Sequence, residues 1–199
     1  MTFDEFKTNA LRTEKPMTDL NFSRVGLFTL LLAAAQMAKI VDTAKKTIVY
    51  GKLLDVSKFQ EQLFQVTRAI SELGQNASMV SQPGVLEEDD ELFQPNLRIM
   101  HGAIGMFGEA GELLDAVLKE MKTGALDLVN VGEELGDNFW YAAIIADETG
   151  ISFDSAQETV VKKLKARFGD KFTSEAALSR DLATERSILE ASISVPASV

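Results

Sequence analysis

The sequence predicts an all-α fold, an antiparallel helical bundle, and three observations carry that expectation. Apolar residues recur at helical spacing over long stretches, and strand-like alternation is hard to find. The four prolines, at 16, 83, 95 and 196, punctuate the chain between those stretches. A hydrophobic share of 46% over 199 residues suits a packed core and argues against disorder.

Taken in order, the periodicity predicts helices at roughly 3–14, 23–49, 56–79, 96–122, 130–148, 153–168 and 174–190. Pro16 separates the short first helix from a long apolar segment. The run from Val25 to Ala35, bounded by Arg24 and Lys39, falls short of the ~20 residues that span a bilayer. It reads as a buried core helix, covered within the chain or at a homodimer interface. Pro83 and Pro95 bracket an acidic, turn-rich stretch that reads as a linker. Ser174, ahead of Glu175, is a plausible cap for the last helix. The tail around Pro196 is polar and small, and is expected to fray.

Composition narrows the function classes. The formal net charge is −10, so the chain should repel nucleic acid and anionic lipid. A phosphate-rich ligand would need a metal ion or a few placed Lys and Arg. Cysteine is absent, which excludes disulfides and thiolate zinc and fits a reducing compartment. The charged N-terminus lacks the apolar run of a secretory signal. The expectation is a cytoplasmic protein that binds neither nucleic acid nor membrane.

The chemistry concentrates in Gly108-Glu-Ala-Gly-Glu-Leu-Leu-Asp115 and Glu133-Glu-Leu-Gly-Asp-Asn-Phe-Trp-Tyr141. At ~100° per residue, Glu109 and Glu112 share a helix face with Gly105, Gly108 and His101. Leu114, Val117, Leu118 and Met121 lie opposite. A stripe of glycine and glutamate lets another backbone or a ligand come close. On the next helix Glu134 and Asp137 head a face that continues as Tyr141, Ile144 and Ile145. Carboxylates buried without partners are costly, and two such pairs on neighbouring helices repel each other unless a cation sits among them. Mg²⁺ meets that demand with hard oxygen coordination, and Mn²⁺ is the alternative. A single E-x-x-E pair is common on any acidic helix; two pairs flanked by small and apolar residues are not. His101, the only histidine, reads as a buried residue with no assigned role.

From His101 to Phe172 the chain resembles the MazG-type nucleoside triphosphate pyrophosphohydrolases, of the all-α superfamily that includes dimeric dUTPases. The resemblance rests on E-x-x-E and E-x-x-D at Glu109, Glu112, Glu134 and Asp137. It extends to Lys163-Leu-Lys-Ala-Arg167-Phe with Phe172, and to a first helix with Phe3-Asp-Glu-Phe and Ala-Leu-Arg-Thr-Glu14. The strings around the acids look closest to phage and small bacterial members.

What the resemblance implies is Mg²⁺-dependent hydrolysis of an NTP or dNTP between its α and β phosphates, giving a nucleoside monophosphate and pyrophosphate. The four acids would hold the metal, and one of them would orient or activate water. Lys119, Lys163 and Arg167 would hold phosphates, and Trp140 or Tyr141 would touch the base or pack in the core. Other substrates of the superfamily stay open: dUTP, a phosphoribosyl-nucleotide or a guanosine alarmone. A catalytically silent helical adaptor is the contrasting reading. Two departures bear on nucleotide contacts. Leu118-Lys-Glu-Met-Lys-Thr-Gly124 replaces the family's Lys-Lys-x-Ile-x-Tyr-Gly, and Val160 replaces a frequent Asn.

The missing string occurs earlier, as Lys45-Lys-Thr-Ile-Val-Tyr-Gly51. One register lays Lys39-Ile-Val-Asp42 on Glu112-Leu-Leu-Asp115 and Lys46 on Lys119. After one residue of slippage, Leu54-Asp55 falls on Leu126-Asp127 and Glu61 on Glu133. In these registers Gln36, Lys39, Gln62 and Gln65 stand where the second half has its four acids. The expected organisation is a degenerate MazG-like repeat at 1–82, a linker at 83–95, a catalytic repeat at 96–172 and a C-terminal helix and tail at 173–199. The two halves would pair as an intrachain pseudo-dimer, with Lys45, Lys46 and Tyr50 offered to the shared site. The contrasting reading makes the first half a scaffold. On the shared-site reading, replacing Lys45 and Lys46 by Ala raises KM for the nucleotide without unfolding the protein. Unchanged steady-state kinetics would contradict it.

Overall fold

The computed structural model describes residues 1–16, 23–77 and 95–192, and among them there is no strand. The helices are α1 (Phe3–Ala10), α2 (Arg24–Tyr50), α3 (Val56–Gln75), α4 (Leu97–Thr123), α5 (Leu128–Thr149), α6 (Phe153–Phe168), α7 (Ser174–Leu178) and α8 (Leu182–Ser192), with a 3-10 turn at Leu11–Thr13. The expected linker at 83–95 falls outside the described residues except for Pro95, and so does the tail around Pro196.

The chain divides into two compact units. The first takes the described residues of Met1–Met17, Pro95–Val161 and Ser187–Val199; the second takes those of Thr18–Gln94 and Lys162–Arg186.

In the first unit α4 and α5 form an antiparallel hairpin. Asn96 starts α4 by accepting from the Ile99 N–H at 3.0 Å, and Gly124 ends it in the left-handed region at φ 74°. Asp127 then caps α5 through the Asn130 N–H. Ala116 of α4 and Ala143 and Ile144 of α5 are buried between them. The hairpin closes tightly because α4 has glycine where α5 has bulk. A Cβ at Gly105 would stand 2.1 Å from the Tyr141 ring, and one at Gly102 would stand 2.5 Å from the Ile145 side chain.

The N-terminal segment is fastened to this hairpin. Thr2 and Glu5 make a reciprocal capping box that starts α1. Phe3 packs edge-on against Phe139 and stacks on Phe153 at 3.6 Å. The Trp140 indole N–H donates to the Ala10 carbonyl and the Thr13 hydroxyl at 3.0 and 3.1 Å. Arg98 grips both Glu14 oxygens at 2.9 and 2.7 Å and also meets Asp147 and Glu148. A planar, always charged guanidinium suits this convergence of three carboxylates.

The second unit is built on the α2–α3 hairpin. Ser23 and Asp55 cap its helices, and Gly51 closes α2 at φ 68°. Within the chain, the Val25–Ala35 run is not the buried core helix that the sequence suggests. Only Gly26, Leu27, Thr29 and Ala33 of α2 are buried, whereas Val25 and Phe28 are 39% and 48% exposed. Within the hairpin α3 offers Val66 and Ala69 and covers a single stripe of α2. As folded, α2 is long and apolar enough to cross a bilayer by length and composition, although Lys39, Asp42, Lys45 and Lys46 crowd its C-terminal half.

The helix expected at 174–190 is two. Thr173, not Ser174, caps α7 by accepting from the Ala176 N–H at 3.1 Å. Asp181 starts α8 afresh, accepting from both the N–H and the hydroxyl of Thr184. A residue inside a continuous helix has no such free N–H to satisfy, so the Asp181 cap marks a break.

Gly105→Ala is expected to cost about 1–3 kcal/mol in a urea melt, because the added Cβ would collide with the Tyr141 ring. Gly111→Ala, facing open space, should be neutral or stabilising through helix propensity. Equal effects of the two would show that the tight seat at Gly105 does not hold the hairpin together.

Candidate active site

Spacing along α4 and α5 decides which side chains can meet. Glu109 and Glu112 are one turn apart on α4, and Glu134 and Asp137 one turn apart on α5. Because the seat at Gly105 draws the helices together, carboxylate oxygens of Glu109, Glu112 and Glu134 all lie within 4.8 Å of one another. Among the described residues none of these three enters an ion pair. Glu134 is almost wholly buried, at 3% exposure, and takes a hydrogen bond from the Asn130 amide one turn earlier. Asp137 lies outside the tight group and is exposed.

The electrostatics follow from that crowding. The charge of Glu134 pushes the Glu112 carboxyl above its ordinary range, and loss of solvent adds to the shift. Glu134 is pushed up as well, first by its hydrogen bond with Glu109 and then by burial, while Asn130 opposes the shift. Burial raises the Tyr141 phenol, and the charges of Glu109, Asp137 and Glu112 raise it further. The phenol therefore keeps its proton near neutral pH and can act as a donor beside the carboxylates. Three hard oxygen donors without a basic partner fit a divalent cation such as Mg²⁺ or Mn²⁺.

The remaining site residues expected from sequence sit as follows. Lys119, in the same unit, is exposed, with its ammonium 3.7 Å from Asp127. Lys45 and Lys46 both bind Asp42 in the second unit, and Tyr50 packs against Phe172 with ring centroids 5.9 Å apart. Lys163 is half-buried in the second unit. Arg167 makes a two-point fork on Glu185 at 2.7 and 2.6 Å, which Arg180 also engages. Held by Arg180 and Arg167, the Glu185 carboxyl drops to about 2. The guanidinium expected to bind phosphate is thus committed to a buried carboxylate. Trp140 is committed by its N–H to Ala10 and Thr13, so its polar edge belongs to the N-terminal anchor. His101 packs edge-on against Trp140 and Tyr141, and its Nδ1 is buried without a hydrogen-bond partner.

One contributor escaped sequence reasoning, and a second was named there only for the base or the core. Asn130 stands four residues before Glu134, a spacing that was available as a same-face pair on α5. Tyr141 was on the acid-bearing face, but only the packing shows that Gly105 makes room for its ring.

The raised carboxyls give a sign to the pH dependence. A carboxyl with a higher pKa when folded than when unfolded favours the fold while it is protonated. That contribution is fully present below the unfolded value and is lost as pH rises through the raised folded values. A bound cation offsets the loss and competes with the same protons. The expected result in thermal melts is a Mg²⁺-induced rise in Tm near neutral pH that shrinks as pH falls toward about 5. A Tm shift of equal size at both pH values would place the cation elsewhere.

Comparison with known protein families matches residues 103–172 to the model described as the MazG nucleotide pyrophosphohydrolase domain. The search of curated proteins and the search of solved structures both give no match.

Proposed function

We propose that the MazG nucleotide pyrophosphohydrolase domain carried at residues 103–172 hydrolyses nucleoside triphosphates, ribo or deoxy, to a nucleoside monophosphate and pyrophosphate. The observation that carries this reading is the unpaired trio Glu109, Glu112 and Glu134, with Asp137 one turn beyond. These acids would hold Mg²⁺ or Mn²⁺. When bound, the cation would neutralise phosphate oxygens and lower the pKa of a water.

The chain's own groups supply the rest. Asn130 fixes one oxygen of the buried Glu134 and so sets the orientation of that carboxylate. Asp137, the exposed member of the four acids, would also orient the attacking water and take its proton. Water adds to the α-phosphorus, and the bond from that atom to the bridging oxygen breaks. Pyrophosphate leaves with the electron pair. The protonated Tyr141 can donate to a phosphate oxygen, and Lys119 offers a mobile charge to the departing end. The site would act chiefly by positioning and charge stabilisation, as expected for phosphoryl chemistry.

The test is pyrophosphate release from a panel of NTPs and dNTPs with Mg²⁺, wild type beside Glu112→Gln and Asp137→Asn. Wild type is expected to release pyrophosphate, and each variant to fall by about 100-fold or more with unchanged helicity by circular dichroism. No release by folded wild type with any nucleotide, or full activity in both variants, contradicts the proposal.

A further inference from the structure

The α2–α3 and α4–α5 hairpins share a plan and invert its charge. α2 and α4 each run 27 residues and end on a left-handed glycine, and each is followed by a helix with an aspartate cap. Residues 23–77 carry seven basic and four acidic side chains, whereas residues 96–150 carry three basic and ten acidic ones. The inversion falls on the positions that matter. Where α4–α5 has Glu112, Asn130 and Glu134, the aligned positions of α2–α3 hold Lys39, Lys58 and Gln62.

These residues line a cleft of about 210 Å³ at the loop end of the α2–α3 hairpin, together with Asp42, Lys46 and Lys52. Both acids of the cleft are already committed. Asp42 binds Lys45 at 2.7 Å and also Lys46, and Asp55 accepts from the Lys58 N–H at 3.0 Å to start α3. The Lys39 ammonium reaches only the Gln36 amide oxygen, at 3.4 Å. Lys52 and Lys58 are exposed, and among the described residues neither enters an ion pair. Thr43 donates to the Gln62 amide oxygen at 3.0 Å, which leaves the Gln62 amide nitrogen as a donor. The first turn of α3 adds the positive end of its helix dipole. Apart from the apolar Leu53 and Leu54, the uncommitted groups of the lining are cationic or donate hydrogen bonds, in a chain whose net charge is −10.

We propose that this cleft binds a condensed phosphate anion, of pyrophosphate or triphosphate size, without a metal ion. The volume is below the roughly 300–1,000 Å³ of a pocket for a drug-sized molecule, so it suits a phosphate chain rather than a whole nucleotide. Several fixed and mobile cations around one concavity favour a multiply charged anion over orthophosphate.

The probe is inorganic pyrophosphate, titrated calorimetrically into the full chain with EDTA present. Tripolyphosphate serves as a second titrant, and orthophosphate at matched ionic strength as the control. Wild type is expected to bind pyrophosphate or tripolyphosphate saturably and more tightly than orthophosphate. Lys52→Ala combined with Lys58→Ala should weaken that binding at least about tenfold without lowering Tm, since both side chains are exposed. Glu112→Gln should retain EDTA-resistant binding even where it abolishes hydrolysis, which separates this site from the carboxylate cluster. No saturable binding by wild type, unchanged binding in the double lysine variant, or loss of binding in Glu112→Gln would overturn the proposal.

Discussion

The contact between Tyr141 and Gly105 governs the first unit. A phenol ring lies where any other residue of α4 would place a Cβ, so the two helix axes come close only because that position is glycine. Gly102 repeats the device one turn earlier, against Ile145. Close packing at these two points sets the distance across which Glu109 and Glu112 face Glu134. Protein interiors transmit such constraints because they have little free volume to absorb them. The position of the carboxylates is therefore a consequence of apolar packing on the same helix faces.

Packing of this kind brings together groups that repel. Three carboxylates share a small volume, one of them almost fully buried, and no Lys or Arg is paired with them among the described residues. Their chain handles its other buried or half-buried acids differently. Glu185 is buried too, but Arg167 and Arg180 hold it in its charged form. Glu14 is held by Arg98. The trio at α4 and α5 has only the Asn130 amide, and the carboxyls of Glu112 and Glu134 are shifted upward instead of downward. An arrangement that is costly for the empty fold and suited to a hard cation supports the metal-dependent reading more strongly than the four acids do as a sequence motif.

Much of this was legible in the sequence, and the reasons are local. The all-α class follows from periodicity. The i, i+3 spacing of Glu109 with Glu112, and of Glu134 with Asp137, puts each pair on one face without any knowledge of the fold. The rest depends on partners distant in sequence. Whether Arg167 meets a phosphate or a carboxylate turns on Glu185, eighteen positions away on a different helix. The exposure of Phe28 turns on how little of α2 its hairpin partner covers. The break between α7 and α8 was readable in principle from Asp181 and Thr184, but periodicity predicts a single helix over 174–190 in spite of that short signal. Composition over the whole chain also concealed the contrast between hairpins. A net charge of −10 averages an acidic α4–α5 with a basic α2–α3.

The central claim is that Glu109, Glu112 and Glu134 form a divalent cation site. Mn²⁺ titration followed by electron paramagnetic resonance tests it most directly, because bound Mn²⁺ loses the sharp signal of the free ion whether or not any nucleotide turns over. The account predicts saturable Mn²⁺ binding by the wild-type chain, displaced by excess Mg²⁺, and its loss in a folded Glu109→Gln, Glu134→Gln variant. Equal Mn²⁺ binding by wild type and variant would contradict it.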